Sequence, residues 1–340
     1  MDKNFPGGSK SRVNAAGDAV REARATPEDL RVIEEWRAAH SSVINTFQAL
    51  LRSRAKEYGA RVIQRHKRKT TIFDKLQRQH GMDLARMDDV AGCRVICPDV
   101  QTLYAFRESM HRARFDHVLK TAPDKYDYIK VPKPDGYRGI HDVYEYNVAS
   151  EEGRHLRGLR IELQYRTEIQ NAWSTTNEII AHITKGVSEP KYHRGDARYL
   201  ALMSLTSELL ARSFEECPGP HPDLENGELV GIYEKREAEL NFRLQLAGLG
   251  VALRGDPANK GPEFILFREG TQLELFGFET PSEALAKLFE LEKSRPTADV
   301  VYVPRTTADE IRSTFKNYYD DAHDFLSWVA EGSEYLRSLR

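Results

Sequence analysis

The sequence predicts an α+β protein in two parts, and three observations carry that expectation. The stretch GLRIELQYRT (158–167) places Leu159, Ile161, Leu163 and Tyr165 on one side and Arg160, Glu162, Gln164 and Arg166 on the other, the two-residue period of a strand. Upstream, Leu30, Ile33, Trp36, Val43, Ile44, Phe47, Leu50 and Leu51 recur at helical spacing. Between the two parts lies ECPGPHPDLENG (216–227), dense in Pro, Gly and acids, in a chain of 340 residues that is long enough for two cores.

Taken in order, residues 1–25 are polar, rich in Gly, Ser and Ala and without apolar period, and read as a flexible tail. Residues 26–215 form the first domain. It opens at Thr26-Pro27-Glu28-Asp29, with Thr as N-cap, Pro at the first helical position and acids in the first turn. A basic stretch, RVIQRHKRKTTIFDKLQRQH, precedes a strand over 94–97, a helix near 99–114 and strands over 140–148 and 158–167. The next helix buries Ile169, Ala172, Trp173, Thr176, Ile180 and Ile183, leaving Asn171, Thr175, Glu178 and His182 on the opposite stripe. Past the 216–227 linker, residues 228–340 form a small α/β domain. A helix over 228–247 leads to the strands PEFILFRE and TQLELFGFE, a helix capped by Thr280 and Glu283, the strand ADVVYVP and a last helix holding FKNYYDDAHDFLSWV.

Hydrophobic residues make up 40% and charged residues 30%, the balance of a soluble protein. No apolar run approaches the ~18 residues of a membrane span, and the opening residues lack a signal-peptide core. The expected location is cytoplasmic, with no membrane partner. Cys93, Cys97 and Cys217 form no CxxC pair, which supports neither a disulfide framework nor a zinc site. Residues 228–340 hold 14 Lys+Arg against 20 Asp+Glu, leaving 36 against 32 in residues 1–227, so a mildly basic half is joined to an acidic one.

Four groups could carry chemistry, each with a plainer alternative. Arg65, Lys67, Arg68, Lys69, Lys75 and Arg78 suit a polyphosphate, or make a solvated helix face. Asp89, with Arg94 just inside the following strand, is a metal ligand or a turn residue. Glu162, Gln164 and Arg166 are a reactive strand face or the solvent side of a sheet. Glu162 with Asp89 could hold Mg²⁺, which takes oxygen ligands and favours one or two carboxylates plus substrate phosphates. The turn KVPKPDGYRGIHDVYEY (130–146) carries Lys130, Lys133, Tyr137, Arg138 and His141, more charge than a turn requires. Together these supply cations for phosphates, acids for a metal and a ring for a base, the parts of phosphoryl or pyrophosphoryl transfer. No GxxxxGK[ST] loop or kinase glycine set is present in the sequence.

The series RHKRKTTIFDK, DDVAGCRVIC, DYIKVPKPDGYRGIHDVYEY, IELQYRT and NAWSTTNE resembles, in order and spacing, the synthetase domain of the RelA/SpoT alarmone family. The resemblance implies a nucleotidyltransferase-like fold, a mixed, mostly antiparallel sheet flanked by helices. It implies transfer of the β,γ-pyrophosphate of ATP to a ribose 3′-hydroxyl. Arg65, Lys67, Lys75 and Arg94 match the ATP-binding basic residues of the family. Asp89 and Glu162 match its catalytic Mg²⁺ carboxylates, with Glu162 also placed to take the hydroxyl proton. Tyr137 matches the ring that stacks on the acceptor base, and Lys133, His141, Gln164 and Arg166 match acceptor-side contacts. One departure concerns the helix after Trp173: small alarmone synthetases typically place a Glu-His pair where Asn177 and Glu178 stand here.

The C-terminal part resembles fused members in which a toxic synthetase carries its own antitoxin domain. Those members modify the tRNA 3′ CCA end, some respond to phage proteins, and an aromatic element covers their ATP site. Phe315 and Tyr318 are the counterparts here. The tRNA acceptor end is therefore the expected acceptor and a phage protein the expected trigger. The alternatives are an alarmone, (p)ppGpp, synthetase acting on GDP or GTP with a regulatory C-terminal domain, and an inactive RNA-binding or sensing module.

Overall fold

The computed structural model describes residues 5–183, 196–247, 262–269, 272–295, 298–303, 307, 311 and 322–339. Two compact units are formed, one from 1–128 with 139–168 and the other from 129–138 with 169–340.

In the first unit the stretch expected to be a loose tail contains a helix, α1 (Lys10–Arg21), capped by Ser9, whose side chain accepts from the Arg12 amide. Its inward stripe, Val13, Ala16, Gly17 and Val20, is built mainly from small residues, so the sequence carries a faint apolar signal where close packing does the work. A Cβ on Gly17 would come within 2.7 Å of Leu84 Cβ. The following helix, α2 (Pro27–Ala55), begins at the expected N-cap, Thr26, and Asp29 completes a capping box there. Ile33, Trp36, Val43, Ile44, Phe47 and Leu51 are buried as anticipated, whereas Leu30 is exposed and Arg37, His40 and Gln48 are buried in the same helix.

The basic stretch divides into β1 (Arg61–His66) and α3 (Lys69–Arg78). Then follow β2 (Ala91–Cys97), α4 (Val100–His111), β3 (Val118–Leu119), β4 (Ile140–Glu145) and β5 (Arg160–Thr167). The sheet order is β1-β2-β5-β4-β3. Only β2 and β5 run parallel; the other three pairings are antiparallel. This is the mixed, mostly antiparallel sheet that was expected. Register and side-chain alternation give the sheet two unlike faces. Leu163, Tyr165, Val95, Cys93 and Tyr144 lie on one, with Phe106 of α4 against Tyr165 and Phe47 of α2 against Tyr144. Cys93 and Cys97 are core residues, and burial pushes both thiols up to about 12. The other face carries the polar residues discussed below.

The second unit contains α5 (Glu168–Ile183), α6 (Ala197–Leu210), a π-helical turn (Ala211–Glu215), α7 (Asn226–Leu240) and α8 (Phe242–Ala247). It ends with β6 (Glu263–Glu269), β7 (Gln272–Phe278), α9 (Pro281–Ser294), β8 (Asp299–Val303) and α10 (His323–Ser338). Every residue of α6 from Leu202 to Leu210 is buried, so beyond its exposed first turn this helix has no solvent face. Trp173, Leu229, Val230, Tyr233, Phe325, Val329 and Leu336 share its core. The antiparallel sheet β7-β6-β8 packs Ile265, Phe267 and Val300 against Ala284, Leu288 and Leu291 of α9, an additional α/β element.

Residues 216–227, expected to be a linker, lie inside the second unit. Arg212 donates to the carbonyls of His221 and Leu224, and Glu208 accepts from the His221 amide at 2.6 Å. Pro and Gly here shape a packed loop, which composition alone does not distinguish from a tether. Phe315 and Tyr318 lie outside the described residues. Among the described residues no helix is long and apolar enough to cross a membrane.

Candidate active site

Strand register gathers most of the predicted site on one sheet face. Glu162, Gln164 and Arg166 alternate along β5 and pair with Gly92, Arg94 and Ile96 of β2. Arg65 of β1 stands opposite Gly92, and His141 of β4 stands opposite Gln164. Gly92 leaves no side chain between Arg65 and Glu162, so the face is open where cation and acid approach.

Asp89 sits in the turn entering β2, and both of its oxygens are engaged. Lys67 Nζ lies 2.7 Å from Oδ2 and Lys75 Nζ 2.9 Å from Oδ1. Burial by itself pushes the Asp89 carboxyl up, but the two ammonium groups outweigh it and the net shift is downward. Burial likewise lowers Lys67, with Asp89 opposing. Glu162 accepts from Gln164 Nε2 at 2.6 Å, and its other oxygen lies 3.0 Å from His141 Nδ1. Burial alone would raise Glu162; His141, Gln164 and Lys75 hold it well below the ordinary carboxylate range. Lys75 thus acts on both acids, and the two acids act on each other. Arg166 donates to Gln164 Oε1 at 3.3 Å, continuing the polar chain along β5.

Among the described residues no group of three His, Cys, Asp or Glu side chains forms a protein-only metal cage. Two ionised carboxylates beside a cluster of cations nevertheless fit Mg²⁺, a hard ion that keeps open positions for phosphate oxygens.

Two residues behind the site were not picked out as functional from the sequence. Arg37 Nε donates to the Lys67 carbonyl at 2.9 Å, and His66 Nε2 lies 2.9 Å from the Arg37 carbonyl. This reciprocal brace ties α2 to the end of β1 and so aims Lys67 at Asp89. The available signal was an arginine on the core stripe of α2, next to Trp36. On the far face of β4, Asp142 is wholly buried and receives Arg107 Nη2 and lies against His111 Nε2, each at 2.7 Å. The His141-Asp142 dipeptide therefore divides between two faces, His141 toward the site and Asp142 into an anchor.

The remaining predicted residues, Lys133 and Tyr137, belong to the second unit. Asp127 bridges to Ile140, and the Tyr128 amide bonds the Gly139 carbonyl at 2.9 Å, closing the base of the 129–138 loop. Within it, Lys133 Nζ lies 5.3 Å from the centre of the Tyr137 ring, and the Gly136 amide bonds the Lys133 carbonyl at 2.9 Å. Asn177 is buried, its Nδ2 donating to the Trp173 carbonyl at 3.2 Å.

Residues 64–184, the span holding these motifs, match the family described as "Region found in RelA / SpoT proteins". The chain contains a RelA/SpoT region. The GTP pyrophosphokinase YwaC of Bacillus subtilis is 26% identical over 124 residues, 36% of this chain and 53% of that protein. The uncharacterized protein Mb1401 of Mycobacterium bovis is 25% identical over 177 residues, 52% of this chain and 60% of its own. The chain therefore spans between about half and three-fifths of the length of these curated relatives. Among solved structures, the small alarmone synthetase 1 of Bacillus subtilis bound to its product pppGpp is 23% identical, with a TM-score of 0.46 over 53% of this chain and 91% of that one. The matched span takes in β2, β4, β5 and all of α5, with Asp89 in the turn entering β2, His141 on β4, Glu162 on β5 and Trp173 on α5.

Proposed function

We propose that this protein is a RelA/SpoT-type pyrophosphokinase that moves the β,γ-pyrophosphate of ATP to a ribose 3′-hydroxyl, releasing AMP. The observation that carries this reading is Asp89 held ionised by Lys67 and Lys75 while Lys75 also acts on Glu162. Such a cluster is built to meet a charged triphosphate. Arg65, Lys67, Lys75 and Arg94 bind the donor phosphates, and Asp89 and Glu162 hold Mg²⁺. Bound there, the metal neutralises phosphate oxygens. Glu162 orients the acceptor hydroxyl and takes its proton. In this chemistry catalysis is mostly positioning and charge neutralisation, which suits a carboxylate of low basicity. His141, Gln164 and Arg166 hold Glu162 and the acceptor, with Tyr137 stacking on the acceptor base and Lys133 beside it.

Two acceptors have support. Asn177, one of the two positions that depart from the family pattern, is buried and bonds its own helix through Nδ2, in keeping with the adenosine of the tRNA 3′ CCA end. The name of the Bacillus subtilis relative favours GDP or GTP. Self-inhibition by the C-terminal region through Phe315 and Tyr318, with a phage protein as trigger, belongs to the tRNA reading. Incubating the full chain and labelled ATP with GDP, GTP or tRNA separates the two acceptors. Label on tRNA alone supports the first, label on GDP or GTP alone supports the second, and label on none, in the intact chain and in its Phe315→Ala and Tyr318→Ala variants alike, removes both.

A further inference from the structure

The loop bearing Tyr137 is fastened more firmly than a turn needs. Gly136 has φ 93°, and a Cβ there would lie 2.9 Å from Ser207 Cβ and from Trp173 Cζ2 and 3.0 Å from Ser204 Cα. Only glycine permits that backbone at that separation. Ser204 Oγ donates to the Pro134 carbonyl at 3.0 Å, and Ser207 Oγ donates to the Gly136 carbonyl at 2.6 Å. Arg138 Nε donates to Ser207 Oγ at 3.1 Å, and its guanidinium pairs with Glu215, with side-chain exposures of 1% and 3%. Gln170 Nε2 donates to the same Glu215 carboxylate at 3.1 Å.

Glu215 closes the π-helical turn Ala211–Glu215, and that turn is also where α10 meets α6. Ser213 Oγ donates to the Gly332 carbonyl at 3.1 Å. A Cβ on Gly332 would come within 2.7 Å of Leu209 Cδ2 and 2.9 Å of Ser213 Oγ. Single π turns inside α-helices recur at functional places, because their geometry sits between two hydrogen-bonding registers. One short turn therefore receives α10 on one side and the guanidinium of the loop on the other.

We propose that Ser207, Arg138 and Glu215 are positioning residues for Tyr137, and that α10, through Gly332 and the π turn, sets how firmly the 129–138 loop is held. The inference rests on the reading above, in which Tyr137 receives the acceptor base. It adds a route of control: anything that shifts α10 changes acceptor affinity without touching Asp89 or Glu162. Breaking a buried ion pair leaves an uncompensated charge, so Glu215→Gln can unfold the unit, and Ser207→Ala and Gly332→Ala carry the test.

The experiment uses the full chain, comparing amide hydrogen exchange over 129–138 with the acceptor KM, the ATP KM and kcat. Exchange at the Lys133 and Gly136 amides rises about five- to thirtyfold in Ser207→Ala, the size of one to two lost hydrogen bonds, since the hydroxyl bonds both the Gly136 carbonyl and Arg138 Nε. In Gly332→Ala it rises although no atom of the loop is altered. Exchange within β2 is unchanged, the acceptor KM rises in step with loop exchange, and the ATP KM and kcat hold. Unchanged loop exchange in both variants overturns the anchoring, and a change in Ser207→Ala alone overturns the α10 route. If neither the wild-type chain nor its Tyr318→Ala variant transfers to any acceptor, the reading of Tyr137 fails, while the exchange data still decide the anchoring.

Discussion

Lys67 Nζ lies 2.7 Å from Asp89 Oδ2, so the carboxylate assigned to the metal is already ion-paired on a part-buried patch. Asp89→Asn removes the charge and leaves the Lys67 ammonium, 10% exposed, without its paired carboxylate and beside Lys75, which keeps only Glu162. The expected destabilisation is about 1–3 kcal/mol, between the values for exposed and buried pairs. Urea unfolding measures it, and transfer falls by about 100-fold or more as the metal site is lost. An unchanged midpoint together with unchanged turnover removes Asp89 from the site.

Tyr137→Ala raises the acceptor KM by about 5- to 150-fold, the range for stacking worth about 1–3 kcal/mol. The ATP KM is expected to hold. Initial rates with each substrate varied in turn read both constants, and a rise confined to ATP moves the ring to the donor side.

The brace behind Lys67 has its own pH signature. Burial lowers His66 to about 3 and His40 to about 4, so both stay neutral in the folded first unit. In the unfolded chain each takes a proton near pH ~6.5. The unfolded state therefore binds more protons as pH falls from about 6.5 toward 4, and stability drops by up to about 1.4 kcal/mol per pH unit for each histidine. Asp89 and Glu162 act later: their folded values are depressed, so their contribution is complete above about pH 4–5 and is lost as pH falls further. Chemical unfolding at pH 7.5, 6 and 5 should show the decline beginning well above the carboxylate range, with a shallower slope in His66→Gln. A flat profile down to pH 5 contradicts the neutral state of the two rings.

Cutting the chain after Glu216 is not a clean removal of a lid. It strips Leu229, Tyr233, Phe325, Val329 and Leu336 from a core shared with α6, a helix buried on all sides. The expected product exposes that core and aggregates; dynamic light scattering and far-UV circular dichroism report it. A monomeric, fully helical fragment shows instead that α6 stands alone. Point substitutions at Phe315 and Tyr318 in the intact chain are therefore the better probes of self-inhibition.

What could be read from the sequence follows the strength of local signals. The β5 alternation marked which of its residues share a face, and the Thr26 N-cap with Pro27 and the Thr280 capping box marked two helix starts. The bundle around α6 gave no such pattern, because a helix buried on all sides has no polar stripe to mark its period. Helix α1 was missed because Ala and Gly pack without leaving a strong apolar trace. The candidate site residues on β2, β4 and β5 stand out as motifs, but their supports, Arg37, His66, Ser207 and Glu215, are single residues scattered along the chain. Only the fold brings Arg37 to Lys67, 30 residues away, or Arg138 to Glu215, 77 residues away.

The most direct test of the account is the stoichiometry of one transfer reaction with the purified full chain, ATP and Mg²⁺, the acceptor set by the comparison of GDP, GTP and tRNA. AMP release and 3′-diphosphorylated acceptor are quantified together by chromatography, for wild type and Glu162→Gln. The account predicts one AMP per modified acceptor, no ADP, and a loss of about 10²–10⁴-fold in Glu162→Gln with the fold retained, as circular dichroism reports. ADP as the nucleotide product, or full turnover in well-folded Glu162→Gln, contradicts it.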